Sequence, residues 1–195
     1  MIKRIVILLI FFSVIGFAGD MKSLKIGGQV PSFALKNYDG KEYSLAKILN
    51  ENKFTVIMFI ATECPVSNAY NERMAGLYDT FHSKGIAFVG MNANKEESVK
   101  RIAEHSKEHG FLFPVLKDDQ NKIADLYGAQ VTPEVFVVNP HGKLLYHGRI
   151  DDSKNPAKIK SHDLSEALDA LLAGKEASAT EPKAFGCSIK RVVID

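Results

Sequence analysis

Residues 54–65 read FTVIMFIATECP, an apolar and β-branched run that ends abruptly at a polar turn carrying a cysteine and a proline. The run from Phe54 to Ile60 is too short for a buried helix and has no polar side. That is how a strand covered on both faces reads. Pro65 suits the first turn of a helix, where a missing N–H costs nothing, so Cys64 stands where a buried strand hands over to a helix. A thiol there meets unpaired backbone N–H groups and the positive end of the helix, both of which favour the thiolate; Glu63 beside it acts in the opposite sense. The competing reading is a buried, inert cysteine. Against it stands the polar, turn-like setting of Thr62, Glu63, Pro65 and Ser67.

Working outward, Met74, Leu77, Tyr78 and Phe81 fall at the spacing of one buried helical face after Pro65. Gly85 to Met91 reads as a second buried strand, and Asn94 with Glu97 as the N-cap and N3 of a helix running through His109. Leu112 to Leu116 is a short extended piece, and Lys122 to Tyr127 a short helix stopped by Gly128. Glu134 to Val138 and Lys143 to His147 are strands joined by Asn139-Pro140-His141-Gly142, an antiparallel pair. Asp163 and Glu166 form a capping pair for a last helix, with Leu164, Ala167, Leu168, Leu171 and Leu172 on one face and Gly174 as its stop.

On the N-terminal side, Asp39-Gly40 between extended pieces predicts a hairpin. The order of elements is therefore α/β: a thioredoxin-like fold with a central mixed sheet flanked by helices, an N-terminal hairpin and a C-terminal extension. Glu176 to Ala184 reads as a flexible polar linker carrying Cys187 toward a strand over Ile189 to Ile194. The boundaries expected are a leader over residues 1–18, one thioredoxin-like domain over 19–175 and the tail over 176–195.

The leader follows from Lys3-Arg4, the apolar run from Ile5 and the small residues Gly16 and Ala18, with polar sequence from Asp20. The run is shorter than the ~20 residues a membrane-spanning helix needs, so a cleaved signal peptide and an exported, periplasmic or cell-envelope protein are expected, with no stable membrane insertion after cleavage. An uncleaved tether is the alternative. Of the 25 Lys and Arg, Lys3 and Arg4 leave with the leader, so 23 basic side chains face 23 acidic ones. Without a basic surplus, nucleic acid is not an expected partner.

Cys64 and Cys187 are the 2 cysteines of the 195-residue chain. In an oxidising compartment they can pair, either as a permanent staple or as a working couple. Thr132-Pro133 precedes a strand, where proline is tolerated; were the bond cis, the Thr132 backbone would lie beside a bound sulfur species. Arg149 with Asp151 and Asp152 reads as an ion-paired strand end, or as a cation for a thiolate. His105 and His109, at i and i+4, have metal-compatible spacing but lack a third ligand and are expected to face solvent. With no GxGxxG, P-loop or Ser-His-Asp signature, neither a metal nor a cofactor is expected.

Taken together, several stretches resemble the alkyl hydroperoxide reductase and thiol-specific antioxidant superfamily, nearest its peroxiredoxin-like members. They are Gly28 to Leu35 with Gly40-Lys41, Cys64-Pro65, Met91 to Asn94, Thr132 to Phe136, and Tyr146 to Asp152 followed by Gly186 to Lys190. The resemblance implies a thioredoxin-like fold in which Cys64 attacks a peroxide or a disulfide; Pro65, Thr132, Pro133 and Arg149 are expected to line the substrate, and Cys187 or an external thiol reductant to reset the enzyme. It also implies departures. Ala61 stands where a Cys-x-x-Cys pair has its first sulfur, Ile57 and Ala61 replace the Pro and Thr of a peroxidatic motif, and no arginine lies near Pro133. Cys187 is then the candidate to resolve Cys64.

Overall fold

The computed structural model describes residues 24–192. The leader over residues 1–18 lies outside them, as does the end of the strand read over 189–194. The chain enters through β1 (Ala34–Lys36) and β2 (Glu42–Ser44), an antiparallel hairpin around Asp39-Gly40. Ser44 then caps α1 (Leu45–Glu51) by accepting from the Lys47 N–H, and β3 (Phe54–Phe59) follows. After the cysteine turn come α2 (Pro65–Asn68), α3 (Asn71–Phe81), β4 (Ile86–Asn92), α4 (Val99–Glu108), β5 (Val115–Lys117) and α5 (Lys122–Tyr127). The rest is β6 (Val131–Thr132), β7 (Glu134–Val138), β8 (Leu144–Gly148), α6 (Asp163–Leu172) and β9 (Cys187–Ser188).

The central sheet runs β5-β4-β3-β7-β8, with β4 parallel to both β3 and β5 and β7 antiparallel to β3 and β8. This is the mixed, thioredoxin-like sheet the sequence predicts. Alternation along β3 divides the core: Val56 and Met58 pack with Met74, Tyr146 and Leu164, while Ile57 and Phe59 pack on the other face with Leu49, Tyr127 and Phe136. These four side chains of β3 are fully buried, which is why the strand lacks a polar face. A strand so enclosed holds its C-terminal end, and hence the Cys64 turn, in one place.

Five local expectations are corrected. The helix predicted from Pro65 is two helices, because the Tyr70 N–H turns to Ser67 O and its ring is drawn inward, with the Arg73 guanidinium 3.7 Å from the ring centre. Asn94 and Glu97 do not cap α4; Ser98 does, accepting from the Arg101 N–H. In α6 the cap position is His162, whose N–H Glu166 accepts, while the Asp163 carboxylate is taken by Arg149 and Ser161. The polar segment 176–184 is not a free linker. His147 and Arg149 donate their N–H groups to Thr180 O and Pro182 O, so the segment lies along the outer edge of β8, and Gly148 leaves Pro182 the room to do so. Finally, the strand at this end is β9, earlier than read, and it pairs with β6.

Candidate active site

Cys64 is the N-cap of α2, with φ −82° and ψ 117°, and its Sγ accepts from the Ser67 N–H at 3.3 Å. Because α2 is a single turn, this direct N–H outweighs any long-range dipole. The Ser67 hydroxyl meanwhile accepts from the Ala61 N–H at 3.1 Å, closing the turn from β3 into the helix. Cys64 is 5% exposed, so the open thiol its polar neighbours suggest is not what the fold makes. Its sulfur is enclosed instead by Cys187, Ser67 and Thr132.

Cys64 and Cys187 form a disulfide, with a Cα–Cα distance of 6.0 Å across 123 residues of sequence. Cys187 reaches this place because β9 pairs with β6, Thr132 opposite Cys187 and Val131 opposite Ser188. Gly186 is required there: a Cβ would collide with the Thr132 carbonyl. The Thr132–Pro133 bond is cis, and the Thr132 carbonyl oxygen lies 3.5 Å from Cys64 Sγ. Upstream, Gln130 and Val131 donate to the buried Glu134 carboxylate at 2.7 and 3.0 Å, and His147 meets its other oxygen at 2.6 Å. Glu134 thus anchors the strand that receives β9.

Glu63, Cys64, Pro65, Asn94, Cys187 and Lys190 line an open pocket over the disulfide. Four of the residues singled out from sequence, Cys64, Cys187, Thr132 and Pro133, come together at the disulfide, and Pro65 lines the pocket above it. Arg149 does not join them. Its guanidinium is bonded to Asp163 at 2.8 Å and 3.4 Å, while Asp151 pairs with Arg73 and His162, and Asp152 accepts from the Lys160 N–H. The strand-end ion pair read over 149–152 therefore has other partners than predicted.

Two further residues were misplaced by their spacing alone. His105, expected to face solvent, is 3% exposed, with its Nε2 3.0 Å from Asn68 Oδ1; Asn68 donates in turn to Thr62 O. Burial first, then the charges of His109 and Arg101, hold its imidazole down to a pKa of about 4. Glu97 is 3% exposed and faces the cysteine turn, not the helix it seemed to cap. Burial alone pushes such a carboxyl up. Hydrogen bonds from Thr62, Asn94 and Asn92 outweigh it, so the pKa lies below the ordinary carboxylate value.

This arrangement suits two-electron sulfur chemistry. A helix-capping sulfur receives an N–H bond, a second sulfur lies within bonding reach, and the carbonyl ahead of a cis-proline borders both. Residues 26–147 match the model of the AhpC/TSA family. The thiol-disulfide oxidoreductase ResA of Bacillus subtilis (strain 168) is 30% identical over 131 residues, 66% of this chain and 69% of that protein. The crystal structure of an uncharacterized conserved protein from Geobacillus kaustophilus aligns with a TM-score of 0.82 at 32% identity, covering 88% of this chain and 95% of that one. That of a hypothetical protein from Sinorhizobium meliloti 1021 gives 0.81 at 31% identity, covering 89% and 98%.

Fold, site and relatives together define a thiol-dependent oxidoreductase of the thioredoxin fold. The chain belongs to the AhpC/TSA family.

Proposed function

We propose that this chain is an exported thiol–disulfide oxidoreductase of the bacterial cell envelope, with Cys64 and Cys187 as its redox couple. The observation that carries this reading is the bond between a helix-capping cysteine and a cysteine on β9, beside the Thr132 carbonyl and under an open pocket. The absence of peroxidatic residues at Ile57 and Ala61 favours a disulfide substrate over a peroxide.

In the reduced protein the Cys64 thiolate, held by the Ser67 N–H, attacks one sulfur of a substrate disulfide. A Cys64–substrate bond forms and the first substrate thiolate leaves. Cys187 then attacks Cys64 Sγ, expelling the second substrate thiolate and closing the internal bond. The substrate gains two electrons and the couple loses two. An external thiol reductant returns them by two exchanges in reverse. Pro65, Thr132 and Pro133 border the path of the substrate sulfur, and Arg149 acts on stability. Export assigns residues 1–18 to a removed leader, residues 19–175 to the catalytic domain and 176–195 to the tail that supplies Cys187.

Stopped-flow mixing of the reduced protein with a model disulfide and, separately, with hydrogen peroxide tests the reading, with Cys64→Ser and Cys187→Ser alongside. Disulfide reduction that is lost in Cys64→Ser and stalls as a mixed disulfide in Cys187→Ser is expected. Fast oxidation by peroxide instead makes the enzyme a peroxidase. Inertness toward both, with a couple below about −300 mV, makes the bond a structural staple. The mass of the mature N-terminus in a periplasmic fraction tests export.

A further inference from the structure

We infer that Glu97 is a positioning residue that holds both cysteine-bearing segments in register, an inference that rests on reading Cys64 and Cys187 as a working couple. Its carboxylate accepts four N–H donors. Oε2 takes the Thr62 backbone N–H at 2.6 Å and Asn92 Nδ2 at 2.5 Å; Oε1 takes Asn94 Nδ2 at 2.7 Å and the Glu63 backbone N–H at 3.3 Å. Thr62 and Glu63 are the two residues ahead of Cys64, so Glu97 fixes the turn that aims its sulfur.

The same carboxylate reaches the other sulfur through one intermediary. Asn94 donates to Glu97, and its Oδ1 accepts from the Lys190 N–H at 2.8 Å, three residues beyond Cys187. The Lys95 N–H donates to Lys190 O at 2.9 Å, completing the tie. Lys117 Nζ bonds Asn94 O at 2.5 Å and stands 3.5 Å from Asn92 Oδ1, steadying the same loop and bringing a positive charge near the buried carboxylate. An ionised carboxylate is acceptor-only, and the four donors it takes are two backbone N–H groups of the cysteine turn and the side-chain amides of Asn92 and Asn94.

The consequence is for the couple. A disulfide closes more readily the more its two thiols are already held together, because less freedom is lost on closure. Glu97 holds them together when the bond is open. Glu97→Gln keeps the shape but turns one acceptor oxygen into a donor facing two N–H groups, so half the clamp is lost.

The test equilibrates full-length wild type, Glu97→Gln and Asn94→Ala with mixtures of reduced and oxidised dithiothreitol. The Cys64–Cys187 bond is then counted by alkylation and mass. Glu97→Gln is expected to lower the equilibrium constant for closing the bond about tenfold, close to 30 mV for a two-electron couple. Asn94→Ala, which keeps the Thr62 and Glu63 bonds, shifts it in the same direction by less and serves if Glu97→Gln does not fold. Leu168→Ala, a buried truncation on α6 away from the site, loses stability without moving the constant. A constant within twofold of wild type in the folded clamp variants, or an equal shift in Leu168→Ala, overturns the assignment. Because closure is measured without substrate, wild-type turnover of a disulfide separately decides whether the couple is catalytic.

Discussion

Cys187 lies directly opposite Thr132 in the two-residue ladder that joins β9 to β6. The backbone ahead of the cis-proline and the second sulfur are therefore carried by one pairing. A device that supplies the resolving sulfur from the C-terminal tail needs such a ladder, because the segment between α6 and β9 has no regular structure of its own.

The tightest point of that ladder is Gly186. Gly186→Ala places a methyl group against the Thr132 carbonyl, which is backbone and cannot swing away. The variant is expected to lift β9, expose Cys187 and lower the closure constant at least tenfold, as read by maleimide labelling under a defined redox buffer. Labelling equal to wild type contradicts the fit described here.

Breaking the bond also costs stability. Cross-linking positions 123 residues apart restricts the unfolded chain, so the reduced protein is expected to be about 2–5 kcal/mol less stable than the oxidised one. Urea unfolding with and without reductant measures the difference, and coincident curves exclude it.

His105 predicts an acid-sensitive fold. Its folded pKa of about 4 lies below the ordinary 6.5, so between these values the unfolded chain binds a proton that the folded one does not. The contribution is full above pH 6.5 and is lost as pH falls toward 4. Comparing urea unfolding at pH 7 and pH 4.5, His105→Gln should lose about 1–3 kcal/mol less than wild type over that interval. An identical pH dependence in the two proteins rules the effect out.

Arg149 is expected to serve stability. Its bonds go to Asp163, which is mostly buried at the start of α6. Arg149→Gln should cost about 1–3 kcal/mol through that lost charge-assisted pair, and leave the alkylation rate of the Cys64 thiol in a Cys187→Ser background unchanged. A changed alkylation rate returns Arg149 to the site.

The sequence alone determined the strand–turn–helix that places Cys64, the mixed sheet, the hairpin at Asp39-Gly40 and the stop at Gly174. Each is written in neighbouring residues: an unbroken apolar run marks burial on both faces, a proline after the cysteine marks a first helical turn, and a glycine marks a left-handed end. Tertiary structure alone decided that Cys187 joins Cys64, that Arg149 binds Asp163, that His105 is buried and that Glu97 serves the cysteine turn. An Asn and a Glu three apart look the same whether they cap a helix or face a loop from another strand. Which donors the carboxylate meets depends on what the packed sheet brings across from it, and spacing along one chain does not encode that.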